Sequence, residues 1–238
     1  MAVTLGQLRT GVRGVLQDTD ADSPRYSDED LNDYANDALY EIALRRPDLF
    51  SFFGDIPLTA GETFQKLPDG AIRLMDIVRV KGGRVVKEAD QDSLDSFNVN
   101  WHSDPAGLTQ NWMRHPRDPV AFYVYPQAPV ATTLIGQWSK TPTPLVEDED
   151  QVPIADVYKP VIEDYMVWRA ESRDDEFVSS PRAVLFLEAF NASLGASAKT
   201  KATADRDTTT KASSPSKPVP PINPGASQAQ AVGNSDAY

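Results

Sequence analysis

Hydrophobic spacing changes twice along this 238-residue chain, and the double change restricts the architectures open to it. Leu5, Leu8, Val12, Val15 and Leu16 recur at intervals of three and four, the period of one helix face, and Thr4-Leu5-Gly6-Gln7 before them fits a capping box. Residues 18–24 break that pattern. Ser27 with Asp28-Glu29-Asp30 then supplies an N-cap and first-turn acids, and Leu31, Tyr34, Ala35, Ala38 and Ile42 carry a second stripe to Arg45-Arg46, where Pro47 stops it. Beyond Phe50 the period shortens, which predicts strands over 52–58, 63–66, 72–81 and 84–87, with turns at Asp69-Gly70 and Lys81-Gly82-Gly83-Arg84. Residues 90–97 fit a short helix, and 101–119 follow no regular pattern. Segments 121–125 and 132–140 read as a strand pair joined by Pro126-Gln127-Ala128-Pro129, with Phe122, Val124, Leu134, Gly136 and Trp138 at alternate positions. That makes six short strands.

Helical spacing returns after Pro153. Val157, Val161, Ile162, Tyr165, Met166 and Arg169 share one side, with Asp156 as cap and Pro160 tolerated in the first turn; Ser180-Pro181 starts another helix with Val184, Leu187, Phe190 and Leu194. No helix is apolar all round, so each needs neighbours. The economical solution is an α+β fold: a four-helix bundle of two N-terminal and two C-terminal helices, an inserted small antiparallel β domain, and an extended C-terminal arm. The corresponding divisions are an N-terminal helical hairpin at 1–50, a β-rich insertion at 51–145, helices completing the bundle at 151–202, and a Pro-rich arm at 203–238.

Charge separates the arm from the rest. From residue 199 onward five cations face three anions, leaving +2, so the preceding body holds −14 of the formal −12 total. That segment contains no Leu, Phe, Trp or Met and cannot offset a chain entropy of roughly 1–2 kcal/mol per residue by burial, so it needs a partner to order it. An acidic body argues against general nucleic-acid binding, which draws its affinity from clustered cations. The absence of cysteine excludes disulfides, thiolate metal sites and a cysteine nucleophile. The first fourteen residues mix Thr4, Gln7, Arg9 and Arg13 with single apolar residues, unlike a signal peptide, and no stretch approaches the ~18–20 apolar residues of a membrane anchor. The expectation is a soluble chain from a reducing compartment.

A search for catalytic chemistry finds none. His102 and His115 are the two imidazoles, neighbouring Asp104 and Asp118 without metal-ligand spacing, and no Gly-x-Ser-x-Gly elbow, P-loop or dinucleotide fingerprint occurs. Ser214-Pro215-Ser216-Lys217 matches Ser-x-x-Lys only in the coreless tail. Glu147-Asp148-Glu149-Asp150 lacks the alternation and glycine of a calcium loop and reads as a solvated charge run. Acid clusters at Asp28–Asp30 and at Asp174, Asp175 and Glu176 leave room for a glycosidase or nuclease, but both fall at helix ends, where carboxylates cap or face water. Trp101, Trp112, Tyr123, Tyr125 and Trp138 read as core and loop anchors, and exposed they would suit sugar stacking. The candidate partner-binding arm comprises Lys211, Pro215, Pro218, Val219, Pro220, Pro221, Ile222, Pro224 and Tyr238, whose Pro-x-x-Pro spacings permit extended recognition. No cofactor is expected.

The run Tyr26-Ser27-Asp28-Glu29-Asp30-Leu31-Asn32-Asp33-Tyr34-Ala35-Asn36-Asp37-Ala38, continuing through Glu41, Ile42 and Arg45-Arg46-Pro47, resembles the second helix of tailed-phage head-to-tail adaptor proteins. The order helix, helix, β insertion, helix, helix, polar tail is similar to adaptor and tail-tubular proteins of short-tailed phages. The resemblance implies a structural virion protein at the head–tail junction, assembled in the host cytoplasm as a homo-oligomeric ring, usually of twelve copies, between the portal protein and a downstream tail or nozzle protein. It implies binding without turnover, with DNA as non-specific cargo in the lumen. Small residues such as Ala35, Ala38 and Ala43 would allow close packing inside the subunit and with neighbours, and an acidic lumen would let a polyanion slide past. Two rivals remain at this stage: a cell-wall or polysaccharide hydrolase, and a soluble interaction module with a Pro-rich ligand tail.

Overall fold

Thr4 opens α1 (Leu5–Leu16) with a capping box, its hydroxyl accepting from the Gln7 amide while the Gln7 side chain accepts from the Thr4 N–H. Ser27 and Asp30 repeat the device at α2 (Asp28–Arg45), which ends before a 3₁₀ turn, Pro47–Phe50. The computed structural model describes residues 2–173 and 181–195, all within one unit spanning residues 1–198. After the turn come β1 (Ser51–Leu58), β2 (Phe64–Lys66), β3 (Ala71–Val80), β4 (Lys87–Glu88), α3 (Gln91–Phe97), β5 (Asn111–Arg114), β6 (Ala121–Tyr125) and β7 (Thr132–Lys140). Then follow α4 (Lys159–Glu171), with Pro160 in its first turn, and α5 over 181–195.

The strands form two sheets, ordered β1-β7-β3 and β2-β6-β5-β4, antiparallel throughout except for the parallel pair β4–β5. Ile56, Leu74, Ile77, Leu134 and Trp138 from the first sheet meet Trp112, Phe122 and Val124 from the second in one core. Gly136 lies at the middle of β7 because a Cβ there would come within 2.6 Å of the Asp76 carbonyl and 2.8 Å of Ile56. The tight approach follows from β3, which is irregular against β7 at three points.

The helices share a second core. Leu5, Leu8 and Val12 of α1, Leu31, Ala35, Ala38, Leu39 and Ile42 of α2, and Ile162, Met166 and Ala170 of α4 are all buried there, with Phe190 and Leu194 of α5. Ala35, Ala38 and Ala43, at 0–2 % exposure, are spent inside the subunit.

Several expectations need correction. The α+β class holds, but a four-helix bundle does not: extended segments complete the helical core through Val3, Leu145, Val152 and Ile154, so four parallel faces were never required. Segments 121–125 and 132–140 are not a hairpin; β6 pairs with β2 and β5, whereas β7 lies between β1 and β3. Their inward alternation was right because both face the same core from opposite sheets. The turn around Gly82, φ 70°, forms, yet the chain returning from it pairs only at the Arg79–Val85 bridge before β4 joins the other sheet. Residues 101–119 hold a 3₁₀ turn, Trp101–Ser103, and β5, giving seven strands rather than six and a β region that is not wholly antiparallel. Val15 and Val184, expected on buried faces, are 41 % and 52 % exposed, and Val157 precedes α4 in a turn. Asp156 does not cap that helix; its carboxylate accepts from the Val3 N–H instead.

Candidate interaction surface

The two imidazoles flank the Tyr123 ring, at 5.8 and 5.7 Å between ring centroids, and neither bonds to a carboxylate among the described residues. His102 stacks on Trp101 at 3.6 Å between ring centroids and contacts the Thr63 hydroxyl, while His115 Nδ1 accepts from the Arg117 and Asp118 amides. Asp104 accepts from Asn98 and from the Tyr125 hydroxyl at 2.7 Å, a bond that raises the Tyr125 pKa. Trp101, Trp112 and Trp138 are at most 5 % exposed, in keeping with anchors rather than a stacking platform.

The acids near α1 and α2 are committed to structure. Asp18 is buried, pairs with Arg13, and accepts from the Arg25 and Tyr26 amides, closing the loop between the helices. Its spacing to Asp20, Asp22 and Glu29 follows positions 1, 3, 5 and 12 of a calcium loop. Because Asp18 is engaged by Arg13, the pattern serves the loop, and among the described residues no group of three ligands is placed to hold a metal. Sequence reasoning passed over Asp18; nothing in the alternating acids Asp18, Asp20 and Asp22 marks which of them is buried. Asp28 also meets Arg13 and Arg9, and the Arg13 hydrogen bond holds its carboxyl below the usual range.

The run at 147–150 is largely exposed, as a solvated charge run should be, and it is also tied into the fold. Asp150 accepts from the Val146 and Glu147 amides, which lowers its pKa, and the Asp148 and Asp150 carbonyls accept from Gly6 and Leu5 at the start of α1. Three acids of α4, Glu163, Asp164 and Glu171, have raised pKa values, in each case chiefly from desolvation. Glu163 lies 3.6 Å from Lys159, and Glu171 3.0 Å from Arg182. Glu163 and Glu171 answer separate cations and do not form a paired-carboxylate centre.

Charge pairing distinguishes the two halves. Outside residues 51–140 the described chain has nine cations and nineteen acids. Arg9, Arg13, Arg45, Arg46, Lys159, Arg169, Arg173 and Arg182 are in ion pairs, and Arg25 lies over the Tyr26 ring and interacts with the Glu171 carboxylate. Within 51–140 nine cations meet ten acids. Here Lys81 and Arg114 are paired, with Asp55 and Glu88, whereas Lys66, Arg73, Arg79, Arg84, Lys87, Arg117 and Lys140 make no ion pair among the described residues. The same half exposes Phe53, Phe97, Val99 and Leu108, and α3 contributes no buried residue. Uncommitted cations and apolar side chains suit a surface that binds macromolecules.

The candidate arm, Lys211, Pro215, Pro218, Val219, Pro220, Pro221, Ile222, Pro224 and Tyr238, lies outside the described residues, as do Asp174, Asp175, Glu176 and the Ser214-to-Lys217 motif. No described helix is long and apolar enough to cross a membrane. Residues 3–216 match the family model described as SU10 adaptor protein. No curated protein matches the chain.

Proposed function

The chain belongs to the SU10 adaptor protein family, and on that premise we propose that it is a structural head-to-tail adaptor of a tailed phage. In this reading it forms a ring, of twelve copies by resemblance, between portal and tail and extends the channel through which DNA passes. The observation that carries the reading is the family match, which spans both helical ends and the β region and continues into the Pro-rich segment. Two features of the site support it. The buried acids Asp18 and Glu171 are held by Arg13 and Arg182 and by loop closure, and cations without an ion pair among the described residues sit with exposed apolar side chains on the surface of the β region. The helical core forms the ring wall, the β region faces the next tail component, and the arm from Ala204 to Tyr238 clasps the portal or an adjacent subunit. The protein acts by binding, without catalysis, at the head–tail junction of the virion.

The test is light scattering after size exclusion of the full chain mixed with purified portal, with negative-stain microscopy of the peak. A portal complex carrying a further ring is expected. A chain that remains monomeric and separate from portal rings overturns the reading. Deleting residues 211–238 should leave the body folded and weaken portal attachment; normal attachment of that truncation would remove the arm from the account.

A further inference from the structure

A cationic concavity at one end of α2 and an acidic ridge at its other end are complementary, and we propose that they join successive copies of this chain. The proposal rests on the ring reading and gives it a contact. The concavity, about 400 Å³, is walled by Leu44 from the end of α2, Pro47 of the 3₁₀ turn after it and Pro119, and it is rimmed by Arg73, His115 and Arg117. Neither Arg73 nor Arg117 has a side-chain partner among the described residues, and Leu44 is 73 % exposed. His115 Nδ1 accepts two amides, so its proton resides on Nε2 and that atom is a donor. The one carboxylate lining the concavity, Asp118, is held by the Val120 amide. Arg114, also lining it, is already bound to Glu88 and to the Leu74 and Met75 carbonyls.

The ridge is Val146, Glu147 and Glu149. All three side chains are exposed, Val146 at 64 %, and neither glutamate has an ion pair among the described residues. Their backbone is fixed: Asn36 exchanges hydrogen bonds of 2.9 and 2.8 Å with Leu145, and Asn32 donates to the Val146 carbonyl. A ligand already held in place loses little entropy on docking. From Asn32 to Leu44 is twelve residues of helix, about 18 Å at 1.5 Å per residue, so ridge and concavity are separate patches. A contact between different patches is head-to-tail, and repeated it closes a ring or runs on as a filament, whereas a self-complementary patch stops at a dimer.

Protein is a better occupant than DNA. The concavity combines two guanidinium groups with walls of leucine and proline, which suits an aliphatic side chain flanked by carboxylates. A duplex needs a broad cationic surface, and this chain carries a net −12.

The test uses the full chain in three forms, wild type, R73E/R117E and E147R/E149R, by sedimentation velocity at about 50 and 500 mM salt, alone and with purified portal. Each double variant should weaken self-association by about 10- to 100-fold, while an equal mixture of the two, in which every concavity meets a ridge of opposite charge, should recover assemblies larger than a dimer. Assembly of both double variants as in wild type overturns this contact and leaves the ring reading standing. A wild type that stays monomeric even with portal overturns both. If R73E/R117E assembles normally but loses retention of duplex DNA in a gel shift, the concavity serves nucleic acid and the proposal is wrong.

Discussion

The two cores of this protein are closed in different ways. The β core draws on residues between Ile56 and Trp138, a single stretch of chain. The helical core joins Val3 to Leu194 and so requires both ends of the described chain. Long-range closure costs loop entropy before it returns burial, which makes the helical core the part that depends on everything between its ends. The electrostatics divide likewise. Around the helices cations are paired within the chain, and across the β region most are left for something else.

Substitutions can break or sharpen this contrast. The largest effect is expected from Trp112→Ala, which empties a fully buried site in the β core and should cost about 3–5 kcal/mol. Urea unfolding followed by fluorescence and by helical circular dichroism decides whether the helical core falls in the same transition; two separated transitions would show the cores to be independent. Next comes Asp18→Ala. It removes the buried carboxylate that Arg13 and two amides answer, and should cost about 1.5–3 kcal/mol in the same assay. Ser27→Ala deletes the α2 cap and should cost about 1 kcal/mol, read as a fall in the thermal midpoint.

Glu163→Gln should act in the opposite direction. Desolvation raises the Glu163 pKa in the folded protein and outweighs the opposing pull of Lys159, whose Nζ is 3.6 Å from the buried Oε1. The stability linked to its proton is present below about pH 4.5, the ordinary glutamate value, and is lost as pH rises through the folded value. Glutamine carries no such charge, so the variant should melt roughly 1–3 °C higher at neutral pH, with the gain fading as pH falls through the raised folded value and gone below about pH 4.5. Equal melting at both pH values would show the charge to be adequately solvated. The smallest effect belongs to Lys81→Ala, which breaks a pair with Asp55 that is more than half exposed on both sides; about 0–0.5 kcal/mol is expected, most visible at low salt.

Local chemistry was legible from the residues alone. Thr4 with Gln7 and Ser27 with Asp30 announce their helices because a cap is satisfied within four residues, and Pro160 marks a first turn for the same reason. Alternation from Phe122 to Trp138 correctly identified inward positions, since side-chain direction depends only on the pleat. The resemblance carried by residues 26–47 pointed to the family that the match over residues 3–216 identifies. Partnership was another matter. That β6 and β7 lie in different sheets, that Asp18 is buried against Arg13, and that Arg73 and Arg117, beside Leu44, have no ion pair among the described residues are facts about residues distant in sequence. Burial periods and caps are decided by neighbours along the chain, so the sequence determined the elements and their inward faces. Which strand pairs with which, and which cation is left without an anion, is settled only when competing long-range contacts are resolved together, and that resolution belongs to the tertiary structure.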